Sequence, residues 1–357
     1  MARLRYIDRI RAIAILCMVQ VHTAAIIPPE GITVGHPVAF VSAAIGGMAA
    51  PMFVTISGWG IYRSAKRRKS LGDNDLISWV NWILPRAIIL TLCQLLVNSA
   101  LLLERGGRFE WMTPGVLTLL AIASIFGPLL VYLTKRQRTS IMLLMVISPL
   151  IIGDMNGADL NWFERVASGG YQEWFERLLL DGTYPAIPWL AFIVLGSLID
   201  ESRGDLKDLE KWIKYSIVAI GISVLYSFYK GIPWALTEGD AVLTFFPANT
   251  AFIFTSGVFV VILFRILEGA EKSGGEPAGG ERMSWLEPAG RLSLTIYVMH
   301  FVLLGIIAYE MQHEARLEIY TAFILTIIHT SLWIPLAILH EKYIPKFSFE
   351  EVLRRFN

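Results

Sequence analysis

Residues 11–28 read RAIAILCMVQVHTAAIIP, an arginine and a proline enclosing sixteen residues with no acidic, lysine or arginine side chain and only three polar ones, Gln20, His22 and Thr23. A bilayer core about 30 Å thick needs roughly 20 apolar residues of helix, because a backbone N–H or C=O left facing lipid has no partner. Extended by Ile7 and Ile10 on its N-terminal side, the stretch meets that length. Windows of the same kind recur along the chain, so spans are expected near 10–28, 45–63, 77–103, 113–134, 138–154, 184–201, 212–230, 249–267, 289–309 and 317–340. The expected fold is all-α: a polytopic membrane helix bundle of about ten helices, forming one transmembrane domain over residues 1–357. The small-residue run from Val38 to Met48, set off by Pro51, is either an eleventh half-helix or the front of a long second span.

Composition points the same way. Of 357 residues 55% are hydrophobic and 17% charged, against about 25% charged in soluble domains. The net charge of +1, from 31 basic and 30 acidic residues, gives no basic excess that would bind nucleic acid. Cys17 and Cys93 sit inside apolar runs and read as small buried hydrophobes, not as a disulfide or metal site. Residues 1–11 lead straight into the first span without a small-residue cleavage site, so no cleavable signal peptide is expected.

Lysine and arginine in the short loops set the expected orientation. Arg3, Arg5, Arg9 and Arg11 precede the first span, and Arg63, Lys66, Arg67, Arg68 and Lys69 follow the second. Lys135, Arg136 and Arg138, the mixed run Asp200 to Lys211, the segment SGGEPAGGER and the C-terminal tail fall on the same side. Both termini are therefore expected in the cytoplasm. The far side receives His36 and the long acidic, aromatic loop before the sixth span, where Trp162, Phe163, Trp174, Phe175 and Leu178 predict an amphipathic helix in the interface.

Titratable groups at membrane depth are costly and mark a site or a structural pair. Arg11 and His22 are eleven residues apart, close to three turns, hence on one face and about 16 Å apart along the axis. In RLSLTIYVMH, Ser293, Tyr297 and His300 share a face at i, i+4 and i+7, with His300 about 16 Å in from a start near Ala289. Two histidines thus reach similar depth. A lone intramembrane histidine is commonly an interhelical hydrogen-bond donor, whereas two at one depth favour acid–base chemistry. His36 lies just beyond the first span, where its flanking Gly35 and Pro37 allow it to fold back. His329 has only Thr326 and Thr330 nearby and reads as structural; His313 and His340 sit at membrane edges. Gln94 and Asn98, with Arg86 after Pro85, either line a cavity or pair across helices. The run RSAKRRK is either a positive-inside anchor or a phosphate-binding surface. No nucleotide-binding glycine loop, HExxH or G-x-S-x-G is present, which argues against an ATP-driven pump.

Five segments in order, RLRYIDRIRAIAILCMVQVH, APMFVTISGWGIY with RSAKRRK, TYPAIPWLAFIVLGSLID, TFFPANTAFIFTSG and GRLSLTIYVMH, resemble transmembrane acyltransferases of the heparan-α-glucosaminide N-acetyltransferase catalytic-domain family. The Arg-x10-His element is also similar to that of membrane O-acyltransferases that modify surface polysaccharides. The resemblance implies an acyl, usually acetyl, group taken from cytosolic acyl-coenzyme A (acetyl-CoA as donor, no metal) and passed to an amine or hydroxyl of a sugar beyond the membrane. His36 in GHPVAF is the nearest counterpart of the glucosaminide enzyme's catalytic histidine, although the Trp and Asp that follow it there are replaced by Ala39, Phe40 and small residues. His22 stands where the O-acyltransferases place theirs. The histidine would act as general base or as acyl carrier; on the family match His36 is favoured over His22, with His300 as orienting partner. The implied substrate-side residues are Ser293, Tyr297 and Trp189, and the implied coenzyme A ligands are Arg11, Arg63, Arg67 and Arg68. The expected setting is a multi-pass protein of the cell membrane, with homo-oligomerisation left open. A rival reading from another class, a proton-coupled transporter using Arg11, His22 and His300, lacks the internal repeat common in such folds.

Overall fold

A computed structural model describes residues 4–33, 35–73, 75–202, 207–273, 283–311 and 317–356. Its helices are α1 (Arg5–Ile26), α2 (Pro37–Gly46), α3 (Ala49–Ser70), α4 (Leu76–Ala100), α5 (Val116–Phe126), α6 (Lys135–Ile152), α7 (Trp162–Val166), α8 (Tyr171–Glu176), α9 (Ala186–Glu201), α10 (Lys207–Lys230), α11 (Thr250–Ser273), α12 (Glu287–Arg291), α13 (Ser293–Glu310), α14 (Ile319–Tyr343) and α15 (Phe349–Arg354). Two short strands, β1 (Ala235–Glu238) and β2 (Leu243–Phe246), pair in parallel within the loop before α11.

Every expected span coincides with helix, and the chain is a polytopic helical bundle. Among the described residues, seven helical runs are long and apolar enough to cross a membrane, or eight if the bent pair Tyr171–Asp181 and Ala186–Glu201 is one span. Val116–Tyr132 is a shorter apolar helix. Helix α10 lies at the seventh expected span but is not among the seven, its apolar stretch being bounded by Lys214 and Lys230. The run from Val38 to Met48 is α2, and Pro37–Ser70 counts as one 34-residue span, so that run is the front of a long second span. The far-side loop forms two short helices, α7 and α8, in place of one amphipathic helix, because Ser168, Gly169 and Gly170 interrupt it. Phe163, Tyr171 and Phe175 are nevertheless exposed there, presenting an apolar surface. His313 and residues 274–282 of the SGGEPAGGER segment lie outside the described residues.

Local sequence fixes several helix starts. Asp75 accepts the Ser78 amide at the head of α4, and Thr134 with Gln137 and Asn161 with Glu164 form reciprocal capping boxes on α6 and α7. Helix α1 is central, touching α2, α3, α11, α12, α13 and α14. Lipid supplies no hydrophobic drive between helices, so close backbone approach through small residues does much of the association. Gly58 of α3 lies against the Ile193 backbone of α9, and Gly196 of α9 against the Thr55 carbonyl and Trp59 amide; a Cβ at either position would overlap backbone. Gly290 likewise lets α12 reach the Asp8 carbonyl of α1.

At the basic end of the bundle the start of α1 is held by carboxylates, the sign of charge a helix N-terminus favours. Glu271 accepts the Tyr6 amide at 2.9 Å, and Glu287 pairs with the buried Arg9 at 2.9 Å and with Arg5 at 2.9 Å. Arg291 bonds Glu341, and that hydrogen bond raises its pKa above the ordinary arginine value. These contacts set the height and rotation of α1, and hence of every polar residue along it.

Candidate active site

The two intramembrane histidines meet. His22 near the far end of α1 and His300 in the middle of α13 place His22 Nδ1 2.9 Å from His300 Nε2. His300 is fully buried, while His22 is half-buried. The other nitrogen of His300, Nδ1, lies 2.9 Å from the Ile296 carbonyl one turn earlier. This contact decides the protonation pattern of the neutral pair. A carbonyl only accepts, so His300 Nδ1 carries the proton and Nε2 is a lone pair; that lone pair accepts from His22 Nδ1–H. The remaining nitrogen, His22 Nε2, is then unprotonated. Phe301 packs on both rings, with centroids 4.4 Å from His22 and 4.3 Å from His300. In the neutral pair His22 is thus held in one tautomer, with its Nε2 not used by the partner histidine.

Tyr297 lies beside the pair, its ring 6.5 Å from His22 and 5.7 Å from His300, and stacks on Phe53 of α3. Ser293 is buried two turns below His300 on the same helix. Glu350 of α15 holds that turn, accepting the Leu294 amide at 2.6 Å and the Thr295 hydroxyl at 2.6 Å. Thr23, adjacent to His22, donates to the Val19 carbonyl and so accepts from His329 Nδ1 at 2.8 Å. The third histidine thus pins α14 to α1 at the level of the pair. Trp189 is fully buried among Tyr184, Phe192, Phe245 and Phe252, a rigid aromatic cluster under the far-side loops.

His36 stands apart from the pair. It is the N-cap of α2, its Nδ1 accepting the Val38 amide at 3.2 Å. Arg11 reaches toward Gly60 of α3, its guanidinium within ordinary contact of where a Cβ there would stand, and it lies 3.9 Å from Asp8. Arg86 of α4 donates to Ser124 of α5 at 3.2 Å. Arg63 pairs with Asp200 at 3.5 Å and lies over Trp59, and Arg68 pairs with Asp73 at 2.8 Å and lies over Trp82. Arg67 is exposed at the end of α3. Gln94 and Asn98 bond each other, and Asn98 donates to the Trp111 and Thr113 carbonyls, so this pair ties α4 to the following loop. No cluster of three or more metal-ligating side chains occurs among the described residues.

Sequence spacing put His22 on the face of Arg11 and His300 on the face of Tyr297. It gave no sign of the Ile296 carbonyl, Phe301 or Glu350, whose parts depend on which helix faces meet. The Thr23 to His329 bond was equally hidden, since the two residues lie 306 positions apart.

A buried pair of imidazoles inside a bundle of apolar helices is a group of the kind that general acid–base chemistry uses. Residues 4–340 match the model of the acyltransferase-domain family, and the chain belongs to that membrane acyltransferase family. No curated protein matches it.

Proposed function

We propose that this membrane acyltransferase moves an acyl group, in the simplest case acetyl, from cytosolic acyl-coenzyme A to an amine or hydroxyl of a sugar on the extracytoplasmic side, as in the heparan-α-glucosaminide N-acetyltransferases. The observation that carries the reading is the hydrogen-bond chain Ile296 carbonyl, His300, His22, which leaves His22 Nε2 as the free base. Of the three histidines, this chain favours His22 as the general base, with His300 positioning it; His36, engaged as a helix cap, has no such support.

In the proposed step His22 Nε2 removes the proton of the acceptor O–H or N–H as that atom attacks the thioester carbonyl carbon. The carbonyl electrons move onto oxygen, and the Tyr297 hydroxyl, on a ring 6.5 Å from that of His22, is the proposed donor to the developing charge. Collapse restores the C=O, breaks the C–S bond and expels the coenzyme A thiolate, which recovers the proton from His22 Nε2–H. Atoms and charge balance without a metal. Arg11, about 16 Å from His22 along α1, lies toward the basic end beside Gly60 and takes a donor phosphate. Among the described residues Arg67 makes no ion pair like those that engage Arg63 and Arg68, and it is the better candidate of the three for a second phosphate contact.

The test is transfer of a labelled acetyl group from acetyl-coenzyme A to a panel of amino sugars and polysaccharide fragments by the purified protein in liposomes. Acceptor-dependent release of free coenzyme A supports the reading. Flux of a solute across the liposome with no transfer to any acceptor contradicts it.

A further inference from the structure

Between α3, the turn after α5, α6 and α9 lies a recess of about 520 Å³ at the basic end of the bundle, lined by Tyr62, Lys66, Lys69, Lys135, Arg138 and Glu201 among others. Its floor is fixed. Arg138, almost wholly buried, pairs with Glu201 and donates to the Ser197 carbonyl, while the Tyr62 hydroxyl donates to Glu201. The one acidic group in the lining is thereby matched by the one arginine. The three lysines are left in excess, and among the described residues none has a carboxylate within ion-pair distance. Lys66 and Lys69 instead sit over the rings of Tyr62 and Tyr132, and Lys69 also donates to the Val131 carbonyl.

The recess faces away from the arginine proposed to hold the donor. Counting 100° per residue, Tyr62, Lys66 and Lys69 lie about 180° to 240° around α3 from Gly60, the position Arg11 approaches. Outside the recess Leu129 and Tyr132, the latter under Lys69, are exposed, and so further along α6 are Leu143, Leu144 and Ile147, about 80° to 180° around that helix from Lys135. A cationic cup with an apolar strip running away from it has the polarity of a phospholipid, phosphate at one end and acyl chains at the other. Basic pockets between spans on the cytoplasmic side are suited to anionic headgroups.

We propose that this recess binds the phosphate of an anionic phospholipid of the cytoplasmic leaflet, its acyl chains lying along α6. The site is separate from the proposed catalytic pair and does not depend on its assignment. The phosphates of coenzyme A share the chemistry, and the experiment separates the two sources. The full-length protein in detergent is titrated with phosphatidylglycerol and, separately, phosphatidylcholine, and bound lipid is counted by native mass spectrometry. The variant Lys66→Gln/Lys69→Gln/Lys135→Gln removes the three lysines, whose exposed positions spare the fold. Lys342→Gln/Lys346→Gln/Arg355→Gln removes the same charge from exposed positions elsewhere on the same face. Each basic side chain at an anionic surface contributes about fivefold, so the recess variant should bind phosphatidylglycerol roughly a hundredfold more weakly, with the control variant within about threefold of wild type. Equal binding of the two lipids, or equal losses in both variants, overturns the proposal. Displacement of the bound lipid by coenzyme A, one for one, also overturns it and assigns the recess to the donor.

Discussion

Replacing His300 with phenylalanine keeps an aromatic ring against Phe301 but removes the acceptor for His22 Nδ1–H, now 2.9 Å away. An unpaired donor in such a setting costs about 1–3 kcal/mol, and it also frees His22 to carry its proton on Nε2, where it cannot act as a base. If that cost falls on the reactive arrangement, kcat drops about 5- to 150-fold, with the apparent affinity for the donor unchanged because Arg11 is untouched. Glutamine at 300 retains a side-chain carbonyl of similar reach and should recover most of the loss. The assay is steady-state release of coenzyme A thiol from acetyl-coenzyme A at saturating acceptor, for His22→Ala, His300→Phe, His300→Gln and the His22→Ala/His300→Phe double variant. The double variant should be no slower than His22→Ala alone, since positioning matters only when the positioned base is present. A kcat for His300→Phe within twofold of wild type would show that His300 does not position His22, as would a double variant whose loss is the product of the single losses.

Other outcomes follow from the same geometry. Arg11→Ala should raise the KM for acyl-coenzyme A about tenfold or more while leaving kcat within a few-fold, since one charge-assisted phosphate bond is worth roughly 1.5–3 kcal/mol; an unchanged calorimetric affinity would leave Arg11 as the partner of Asp8. His36→Ala should cost about 1 kcal/mol as a lost helix cap and leave turnover within about threefold, whereas abolished turnover in a folded protein would return the catalytic role to His36. Gly196→Val forces a side chain into the Thr55 and Trp59 backbone, and a shift in thermal midpoint smaller than that of Gly221→Val, where a Cβ meets nothing, would contradict the packing. With Cys17 and Cys93 replaced, a cysteine at Asn161 should react with an impermeant reagent from outside intact cells and one at Gly72 only after permeabilisation; the reverse pattern inverts the orientation.

The hydropathy of the chain made the class of fold legible, because the backbone in lipid has few solutions and each leaves a long apolar mark. What blurred the count were segments in which length and polarity conflict: Val116–Tyr132, short for a bilayer, and α10 with lysines near its ends. Helical periodicity placed His22 and His300 at matching depth but was silent on rotation of one helix about another. That rotation is set by features of low sequence signal, such as Gly290 against Asp8 and the carboxylates of Glu271 and Glu287 at the start of α1. The basic run that closes α3 reads in the sequence as one surface, yet the folded helix divides it: Arg63 and Arg68 turn to acidic partners while Lys66 and Lys69 turn to the recess. The preference for His36 rested on the family resemblance, and the capping bond it makes is not visible in the sequence.

Whether His22 Nε2 is the base of acyl transfer is decided most directly by a single-turnover comparison of wild type and His22→Ala, each preloaded with radiolabelled acetyl-coenzyme A and mixed with acceptor. A general base contributes about a hundredfold to ten-thousandfold, so His22→Ala should bind the donor with wild-type affinity and transfer its acetyl group at least a hundredfold more slowly. Transfer by His22→Ala at a rate near that of wild type would contradict that role for His22.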